Sequence, residues 1–331
     1  MPPASFKQHI SWRITGNRRI SSSSFFIAGI VNITPDSFSD GGRYYTPADA
    51  LKRVRQVADE GADIVDLGAE STRPGARDIG HAEEWRRLQP VLEGALALRA
   101  SLSSAPVRAD DASGNPPLVV SVDTFRAETA ARALAGGRVA PKEGADIIND
   151  VSGGAFDPAM ADVLAEFKPG YVLGHSRGKP AVMQLSPYYD DVVDALLHWF
   201  TTRMTALVKA GLPEDCICLD PCIGFGKRLE HHLAICAALP RFACLGRPLY
   251  FGVSRKSFLA SLLNGPPDAS AVPPGNPHPT QHAKDVATQV VISLLANAGV
   301  AVHRVHRVAD TVATRNILRN MGKYCEYKKC G

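Results

Sequence analysis

The sequence predicts an α/β fold, a (β/α)8 barrel of the TIM type with an N-terminal β-hairpin. Short apolar runs rich in β-forming residues alternate with helix-patterned segments, which is typical of parallel βαβ units. The eight runs cover residues 26–33, 64–67, 118–122, 146–148, 171–173, 216–219, 249–253 and 300–305. A polar or charged residue follows nearly every run, as expected for a barrel whose chemistry lies at the carboxyl ends of its strands. An open doubly wound sheet is the alternative, although it would place such residues mainly near one switch point.

The first 24 residues predict a hairpin extension. Residues 12–15 and 18–20 have strand-compatible side chains and flank Gly16-Asn17, a two-residue turn pair. The whole segment, residues 1–24, is rich in Arg and Ser and has no acidic residue, a composition that organelle transit peptides share. We favour the hairpin because the turn pair has strand-like neighbours on both sides.

The barrel itself is expected to span residues 25–322, with a tail at 323–331. A helix over 47–60 begins with a capping Thr46 and with Pro47 in the first helical position. A second long helix is expected over 190–210. Segments with the composition of flexible connectors are interpreted as insertions into the barrel, at residues 103–117, 136–143 and 264–279.

The charge distribution argues against a nucleic-acid partner. The chain has 37 basic and 33 acidic residues, hence a formal net charge of +4. Lys7, Arg13, Arg18 and Arg19 all precede the first acidic residue, Asp36, so the remainder of the chain is neutral. Proteins that bind nucleic acids usually need a basic stripe. No apolar run approaches the roughly 18 to 20 residues of a membrane helix, so we expect a soluble protein with no membrane partner.

The cysteines predict packing rather than metal binding. All seven lie late in the chain, at positions 216, 218, 222, 236, 244, 325 and 330. Cys216, Cys218 and Cys222 near His231 and His232 would suggest zinc, but structural zinc sites normally show two closely spaced ligand pairs. Because Cys216 and Cys218 alternate with apolar residues, we interpret them as small side chains on one face of a strand. Free thiols fit a reducing cytoplasm.

Two polar segments suggest a ligand site at the strand ends. NITPDSFSDGG, residues 32–42, has the turn chemistry of a loop that closes over a ligand, although a generic βα loop has the same composition. Arg304 and His306 leave the last strand on the same side, where barrels often bind phosphate. A basic surface cluster is the alternative, because His303 and Arg307 flank them. GFGK at 224–227 lacks the spacing of a nucleotide-binding P-loop.

Taken together, these loops resemble those of the dihydropteroate synthases of the bacterial folate pathway. The resemblance extends in order from about residue 26 to residue 310. It rests on seven motifs, NITPDSFSDGG (32–42), AESTRPGA (69–76), SVDT (121–124), INDVSGG (148–154), LDPCIGFGK (219–227), SRKSFL (254–259) and RVH (304–306). Enzymes of this family displace diphosphate from 6-hydroxymethyl-7,8-dihydropterin diphosphate with the amine of 4-aminobenzoate, which gives 7,8-dihydropteroate.

The resemblance implies a role for each matching residue. The residues implied in catalysis are Lys256, Asp220, Arg304 and His306. Those implied in binding the pterin diphosphate are Thr72, Asp123, Asn149, Asp220, Phe225, Lys256, Arg304, Val305 and His306. Those implied in binding 4-aminobenzoate are Phe38, Thr72, Arg73, Pro74 and Ser257. Asn32 is implied as the protein ligand of a Mg2+ cofactor that also binds the diphosphate.

The implied reaction is a dissociative displacement. Diphosphate leaves early, the acidic pocket holds a cationic dihydropterin, and the amine attacks it, so no nucleophilic side chain is required. The resemblance also implies a homodimer formed through the helical side of the barrel. Two alternatives stay open: a methyltransferase domain that binds methyltetrahydrofolate, and a catalytically silent paralogue that still binds pterin.

Three positions depart from the family pattern. Cys222 stands where Gly is common, so a positive φ at this position would strain the loop. Gly174 replaces a Met that packs on the pterin, which predicts a gap filled by Met183 or by water. Arg307 replaces an Asp and is expected to alter the surroundings of His306.

Overall fold

Eight parallel strands form the central sheet. The computed structural model describes residues 10–34, 46–70, 78–104, 115–136, 143–264 and 279–327. The strands of the sheet are β3 (Phe26–Asn32), β4 (Ile64–Gly68), β5 (Val119–Asp123), β6 (Ile147–Asp150), β7 (Gly170–Gly174), β8 (Ile217–Asp220), β9 (Tyr250–Phe251) and β10 (Val302–Val305). Each predicted run overlaps one of them. They are ordered β8-β7-β6-β5-β4-β3-β10-β9. A parallel bridge between Leu219 and Leu249 joins the two edges, so the sheet closes into a barrel and is not an open doubly wound sheet.

Helices cover the outside of the barrel and follow the strands. They are α1 (Pro47–Asp59), α2 (Gly80–Ser103), α3 (Ala127–Leu134), α4 (Met160–Phe167), α5 (Val192–Ala210), α6 (Leu229–Ala237), α7 (Leu239–Phe242), α8 (Ser257–Leu263), α9 (Gln281–Asn297) and α10 (Val308–Tyr327). Thr46 caps α1 as predicted, since its hydroxyl accepts from the N–H of Asp49 at 3.2 Å. The helix expected over 190–210 begins at Val192 because Asp191 is its cap. Among the described residues, none of the helices has the length and apolarity needed to cross a bilayer.

The N-terminal hairpin closes the bottom of the barrel. Its antiparallel strands are β1 (Ile10–Arg13) and β2 (Arg19–Ser22), joined through the predicted Gly16-Asn17 turn. Trp12, Ile14 and Ile20 are buried against residues at the amino ends of the barrel strands. The indole N–H of Trp12 donates to the carbonyl oxygen of Cys216 at 2.7 Å. The site must therefore lie at the opposite, carboxyl end.

The positive residues of the hairpin are paired with acids on this underside. Arg18 contacts Asp146 at 2.5 Å, and Arg99 contacts the same buried carboxylate at 2.9 Å. Arg19 pairs with Asp215. The local surplus of positive charge thus ties the hairpin to the underside of the barrel.

The predicted insertions are only partly described. Residues 105–114, 137–142 and 265–278 lie outside the described part of the chain, so their predicted flexibility is untested. Asn115, at the end of the first insertion, is tied to β2: its side chain accepts from the N–H of Ser21 and donates to the carbonyl of Ser21, both at 2.8 Å. Helix α10 continues to Tyr327, into the segment at 323–331 that was predicted as a tail.

The cysteine interpretation is correct in part. The described cysteines, at positions 216, 218, 222, 236 and 244, are free thiols. Cys218 belongs to the lower core beside Trp12, whereas Cys216 lies in a 3-10 turn before β8 and packs in the outer layer. The two cysteines therefore do not share one face of a strand, because the strand begins only at residue 217. Within the described ranges, no group of three or more His, Cys, Asp or Glu side chains has the arrangement of a metal site.

His303 on β10 is a buried polar group without a partner. Its side chain is fully buried, edge-on to Phe25 with ring centres 4.8 Å apart. In the described part of the chain, neither ring nitrogen has a hydrogen-bond partner. Burial lowers the pKa of His303 to about 3 from its ordinary value of 6.5.

We expect this residue to make stability depend on pH. Below about pH 6.5 the unfolded chain binds a proton at His303 that the folded chain excludes, so stability falls as pH falls, down to about pH 3. Substitution His303→Leu removes this effect. The free energy of unfolding of the variant, relative to the parent, should rise by about 2 kcal/mol between about pH 7 and about pH 5.

Urea unfolding of both proteins across this range measures the difference. The control is His198→Leu, since His198 is exposed on α5. A difference between His303→Leu and the parent that does not change with pH would contradict the expectation.

Candidate active site

The inner side chains of the barrel form layers along the strands. The lowest layer is apolar and packs on the hairpin. Side chains alternate between the faces of a strand, so the next inward residue lies two positions later. This second layer comprises Ile30, Asp66, Ser121, Asn149, Gly174, Asp220, Gly252 and Arg304. The same alternation that buries the lower core thus places five polar side chains above it, which we call the polar ring: Asp66, Ser121, Asn149, Asp220 and Arg304.

Arg304 is the centre of this polar ring. Its Nε donates to Asp66 Oδ2 at 2.6 Å, and its Nη2 donates to Asp123 Oδ2 at 2.8 Å. Asp66 also accepts from the hydroxyl of Ser121 at 2.6 Å and from the amide of Asn149 at 3.1 Å. Side chains from β10, β4, β5 and β6 are therefore joined in one network.

Sequence reasoning missed Asp66. It lies in the middle of an otherwise apolar strand and is fully buried. An acid at such a position is the signal that would have identified it, because a buried carboxylate needs a partner. The partner, Arg304, is 238 positions away in the sequence.

Two carboxylates share the one guanidinium, which changes the protonation of Asp123. Burial, opposed by Arg304 and reinforced by the neighbouring Asp66, raises the pKa of Asp123 to about 7. The group therefore exchanges a proton near neutral pH. A ligand with amino or ring N–H donors would favour its ionised form.

Asp220 and Lys256 form a second pair of opposite charges at the mouth. Asp220 Oδ1 accepts from the N–H of Cys222 at 2.7 Å. Lys256 Nζ donates to the carbonyl of Ile223 and lies 4.7 Å from the centre of the Phe225 ring. Burial raises the pKa of Asp220 and lowers that of Lys256, and each charge opposes the shift of the other. The two groups stabilise each other's charged forms.

Arg304 and Lys256 both lie beside Gly252. A side-chain carbon at this position would lie 3.7 Å from Arg304 Cβ and 3.8 Å from Lys256 Nζ. Both distances are ordinary van der Waals contacts, so the two cationic side chains flank one position at the end of β9. Two positive groups beside Asp123 and Asp220 suit a ligand with an anionic end and a donor-rich end.

His306 is held by a serine that sequence reasoning did not select. Its Nδ1 lies 2.9 Å from the hydroxyl of Ser254, which also accepts from the N–H of His306 at 3.2 Å. Arg307 points away and pairs with Asp310 at 3.0 Å, so the expected effect on the surroundings of His306 is not observed. Val305 differs from its neighbours: its side chain packs in the core between sheet and helices, and only its backbone faces the mouth.

The departures at Cys222 and Gly174 have different outcomes. Cys222 has the expected positive φ, 52°, and is buried. At position 174, the first carbon of a side chain would lie 2.5 Å from the carbonyl oxygen of Asp150. The predicted gap is wrong, because the backbone at the end of β6 takes that space. Met183 is buried nearby, 3.7 Å from the hydroxyl of Ser176.

The remaining predicted residues lie at the rim. Asn32 ends β3 beside Gly68 of β4 and is partly exposed, and Ser257 is the exposed first residue of α8. The residues predicted on the first two loops lie outside the described part of the chain; they are Phe38, Thr72, Arg73 and Pro74.

Arg126 holds the described ends of the second loop and was also missed. Its guanidinium pairs with Glu70 on one side of residues 71–77 and with Asp78 at 2.5 Å on the other. A third carboxylate, Glu84 of α2, lies 3.3 Å from it. This nearly buried arginine therefore fixes both points at which the loop leaves the barrel.

Comparison with known proteins agrees with this geometry. Residues 28–306 match the model of a family described as pterin binding enzyme. The chain is 35% identical to the dihydropteroate synthase of Mycobacterium leprae over 308 residues, 92% of this chain and 97% of that protein. It is 36% identical to the mitochondrial folate synthesis bifunctional protein of Arabidopsis thaliana over 304 residues, 87% of this chain but only 49% of that protein. The chain thus spans about half of the plant relative.

Solved structures give the same result. A dihydropteroate synthase of Xanthomonas albilineans with 4-aminobenzoic acid superposes with a TM-score of 0.76 at 31% identity, over 95% of this chain and 98% of that one. A structure from the same organism with 7,8-dihydropteroate gives a TM-score of 0.71 at 30% identity, over 92% and 96%. The eight-stranded barrel, its polar mouth and the match over 28–306 lead to one conclusion: the chain belongs to the family of pterin-binding enzymes.

Proposed function

We propose that this chain is a dihydropteroate synthase. It joins 6-hydroxymethyl-7,8-dihydropterin diphosphate to 4-aminobenzoate and releases diphosphate, as a transferase of folate biosynthesis. The observation that supports this most strongly is the meeting of Arg304 and Lys256 around Gly252, next to Asp123 and Asp220. A pterin with an attached diphosphate has the matching chemistry, a donor-rich ring at one end and an anion at the other. A relative that is 35% identical over 92% of the chain carries this name.

Three side chains at the mouth of the barrel bind and orient the pterin. They are Asp123, Asn149 and Asp220, which come from three different strands. Asn149 is fixed by its bond to Asp66, and Asp220 by its bond from the N–H of Cys222. Because the protein orients these groups before the ligand arrives, binding costs little side-chain entropy. In this proposal the ring of Phe225 packs against the face of the pterin ring.

The basic side chains of the mouth stabilise the leaving group. The bond between the pterin methylene carbon and the diphosphate oxygen breaks, and its electron pair stays on the diphosphate. Lys256, Arg304 and His306 balance the charge that develops there. The lone pair of the 4-aminobenzoate nitrogen then forms the new C–N bond, and that nitrogen loses a proton. Placement of charge and of both substrates carries the rate, so no covalent intermediate with the protein is needed.

Magnesium is the cofactor that we propose for this site. Asn32 offers a hard oxygen ligand at the rim. Magnesium usually keeps several waters and binds through one or two protein oxygens together with substrate phosphates, so one such ligand suits an ion held mainly by the diphosphate and by water. When bound, magnesium would supply positive charge to the departing diphosphate. We also propose that 4-aminobenzoate binds at the residues that the family resemblance implies: Phe38, Thr72, Arg73, Pro74 and Ser257.

The two alternative functions have little support from the site. A methyltransferase domain that binds methyltetrahydrofolate has no need for the pair of cations at Gly252. The departures from the family pattern are the only support for a silent paralogue. Yet the N–H of Cys222 still donates to Asp220, and Arg307 pairs with Asp310 and not with His306. We also propose a reducing compartment such as the cytoplasm, since the described cysteines are free.

Turnover with the two proposed substrates tests the function. The parent should release diphosphate and form 7,8-dihydropteroate in the presence of magnesium. Lys256→Ala and Asp220→Ala should each lower kcat/KM at least about a hundredfold, because each leaves a buried charge without its partner and removes a ligand contact. The control is Lys209→Ala, since Lys209 is exposed on α5.

Two results would contradict the proposal. One is binding of the diphosphate substrate without any product, which would favour the silent paralogue. The other is activity of the Lys256 and Asp220 variants within a few-fold of the parent, which would remove these residues from the mechanism.

We further propose that the chain forms a homodimer through α9 and α10. Large apolar side chains are exposed here at 50–65%; they are Val286, Val290, Leu294, Ile317 and Met321. The three on α9 are spaced by four, so they lie along one face of that helix. An apolar face of this kind usually marks an interface.

Substitution Leu294→Glu should weaken the dimer at least about tenfold, since it places a charge within the apolar face. Sedimentation velocity over a concentration series measures the association. The matched control is Leu185→Glu, because Leu185 is 80% exposed and lies on a different surface. A parent that stays monomeric, or a Leu294→Glu variant that associates like the parent, would refute the dimer.

A further inference from the structure

Lys227 is a buried ammonium group with no place in the reaction proposed above. It follows the GFG sequence between β8 and α6, and its residue is only 2% exposed. Its Nζ lies 3.0 Å from both the carbonyl oxygen and the Nδ1 of His175, and 3.1 Å from the carbonyl oxygen of Phe225. The carbonyl oxygen of Cys222 is at 3.5 Å. The amine therefore sits in a cradle of acceptors from its own loop and from the end of β7.

The partners of this amine define the state of His175. Lysine has only donors, so Nδ1 of His175 must accept. Burial and the adjacent Lys227 lower the pKa of His175 to about 2, which keeps its ring neutral. The contact is therefore a hydrogen bond from a cation to a neutral ring, with no carboxylate directly bonded to the amine among the described residues. The ammonium group therefore stabilises the surrounding backbone through hydrogen bonds to its carbonyl oxygens.

The loop around Lys227 has a backbone that needs support. Cys222, Gly224 and Gly226 have positive φ values of 52°, 89° and 58°. The carbonyl oxygens of Phe225 and His175 accept from the ammonium group of Lys227, at 3.1 Å and 3.0 Å. The carbonyl oxygen of Cys222 also accepts from the N–H of Phe225 at 3.1 Å. Loss of the Lys227 amine would therefore remove a donor from the oxygens of Phe225 and His175, and a buried acceptor without a donor is costly.

The same loop carries the groups that contact Lys256. Lys256 Nζ donates to the carbonyl of Ile223 and lies over the ring of Phe225. Both groups belong to the turn that Lys227 holds. A change at Lys227 would thus reach the pterin side of the mouth without any contact between Lys227 and a ligand.

We propose that Lys227 is a positioning residue for the pterin diphosphate, because it fixes the 222–226 loop that sets Phe225 and Lys256. This rests on the proposed function of the chain. The 4-aminobenzoate residues lie on other loops, so the effect should be selective for one of the two substrates.

Steady-state kinetics of Lys227→Met and Lys227→Gln test the proposal. Met matches the length of Lys without any donor, whereas the Gln amide keeps two donors. Lys227→Met should raise KM for the dihydropterin diphosphate at least about tenfold, while KM for 4-aminobenzoate stays within about threefold. Lys227→Gln should lie between Lys227→Met and the parent. Lys209→Met is the matched control and should leave both values unchanged, since Lys209 is exposed.

Circular dichroism and melting temperatures establish that each variant is folded at the assay temperature. Equal changes in both KM values, or no change in a folded Lys227→Met protein, would overturn the inference while leaving the function of the parent intact. Failure of both neutral variants to fold, when Lys209→Met folds, would also overturn it, because Lys227 would then support the whole fold. A parent that shows no turnover would overturn the proposed function and this inference with it.

Discussion

The guanidinium of Arg304 lies between two carboxylates, those of Asp66 and Asp123, inside the mouth of the barrel. Burying two acids and one base is costly unless they pair and their remaining lone pairs are satisfied. Ser121 and Asn149 satisfy Asp66, so the network is complete before any ligand binds. The rest of the mouth depends on it, since it fixes an arginine for the anion and presents a carboxylate and an amide to the pterin.

The barrel makes this network possible by its layers. The hairpin fills the amino end with Trp12, Ile14 and Ile20, which keeps water away from the underside of the polar ring. Above that apolar layer every second residue of a strand is inward, so residues far apart in sequence meet at one height. At the end of β9, Lys256 and Arg304 both lie beside Gly252. Lower core, polar ring and ligand site are three consecutive levels of one structure.

The sequence predicted the strands and the polar residues at their ends because both are local signals. A short apolar run followed by a polar residue identifies a strand and its carboxyl end, as at Asp123 and Asp220. Contacts between distant segments were not predictable in this way. The hydrogen bond from Arg304 to Asp66 and the contact of Lys227 with His175, at the end of β7, each join residues far apart in the sequence. The gap expected at Gly174 was wrong because the backbone of a neighbouring strand occupies it. Such errors come from tertiary packing, which residue patterns do not show.

The most direct test of this account is the affinity of the dihydropterin diphosphate for an Asp66→Asn variant, measured by calorimetry with magnesium present. Asn has the shape of Asp, so the variant removes a charge from the partner of Arg304 without opening a cavity. The matched control is Asp215→Asn, because Asp215 pairs with Arg19 on the underside of the barrel. The account predicts that Asp66→Asn weakens binding at least about tenfold and that Asp215→Asn leaves it unchanged. Equal affinity of Asp66→Asn and the parent would contradict it.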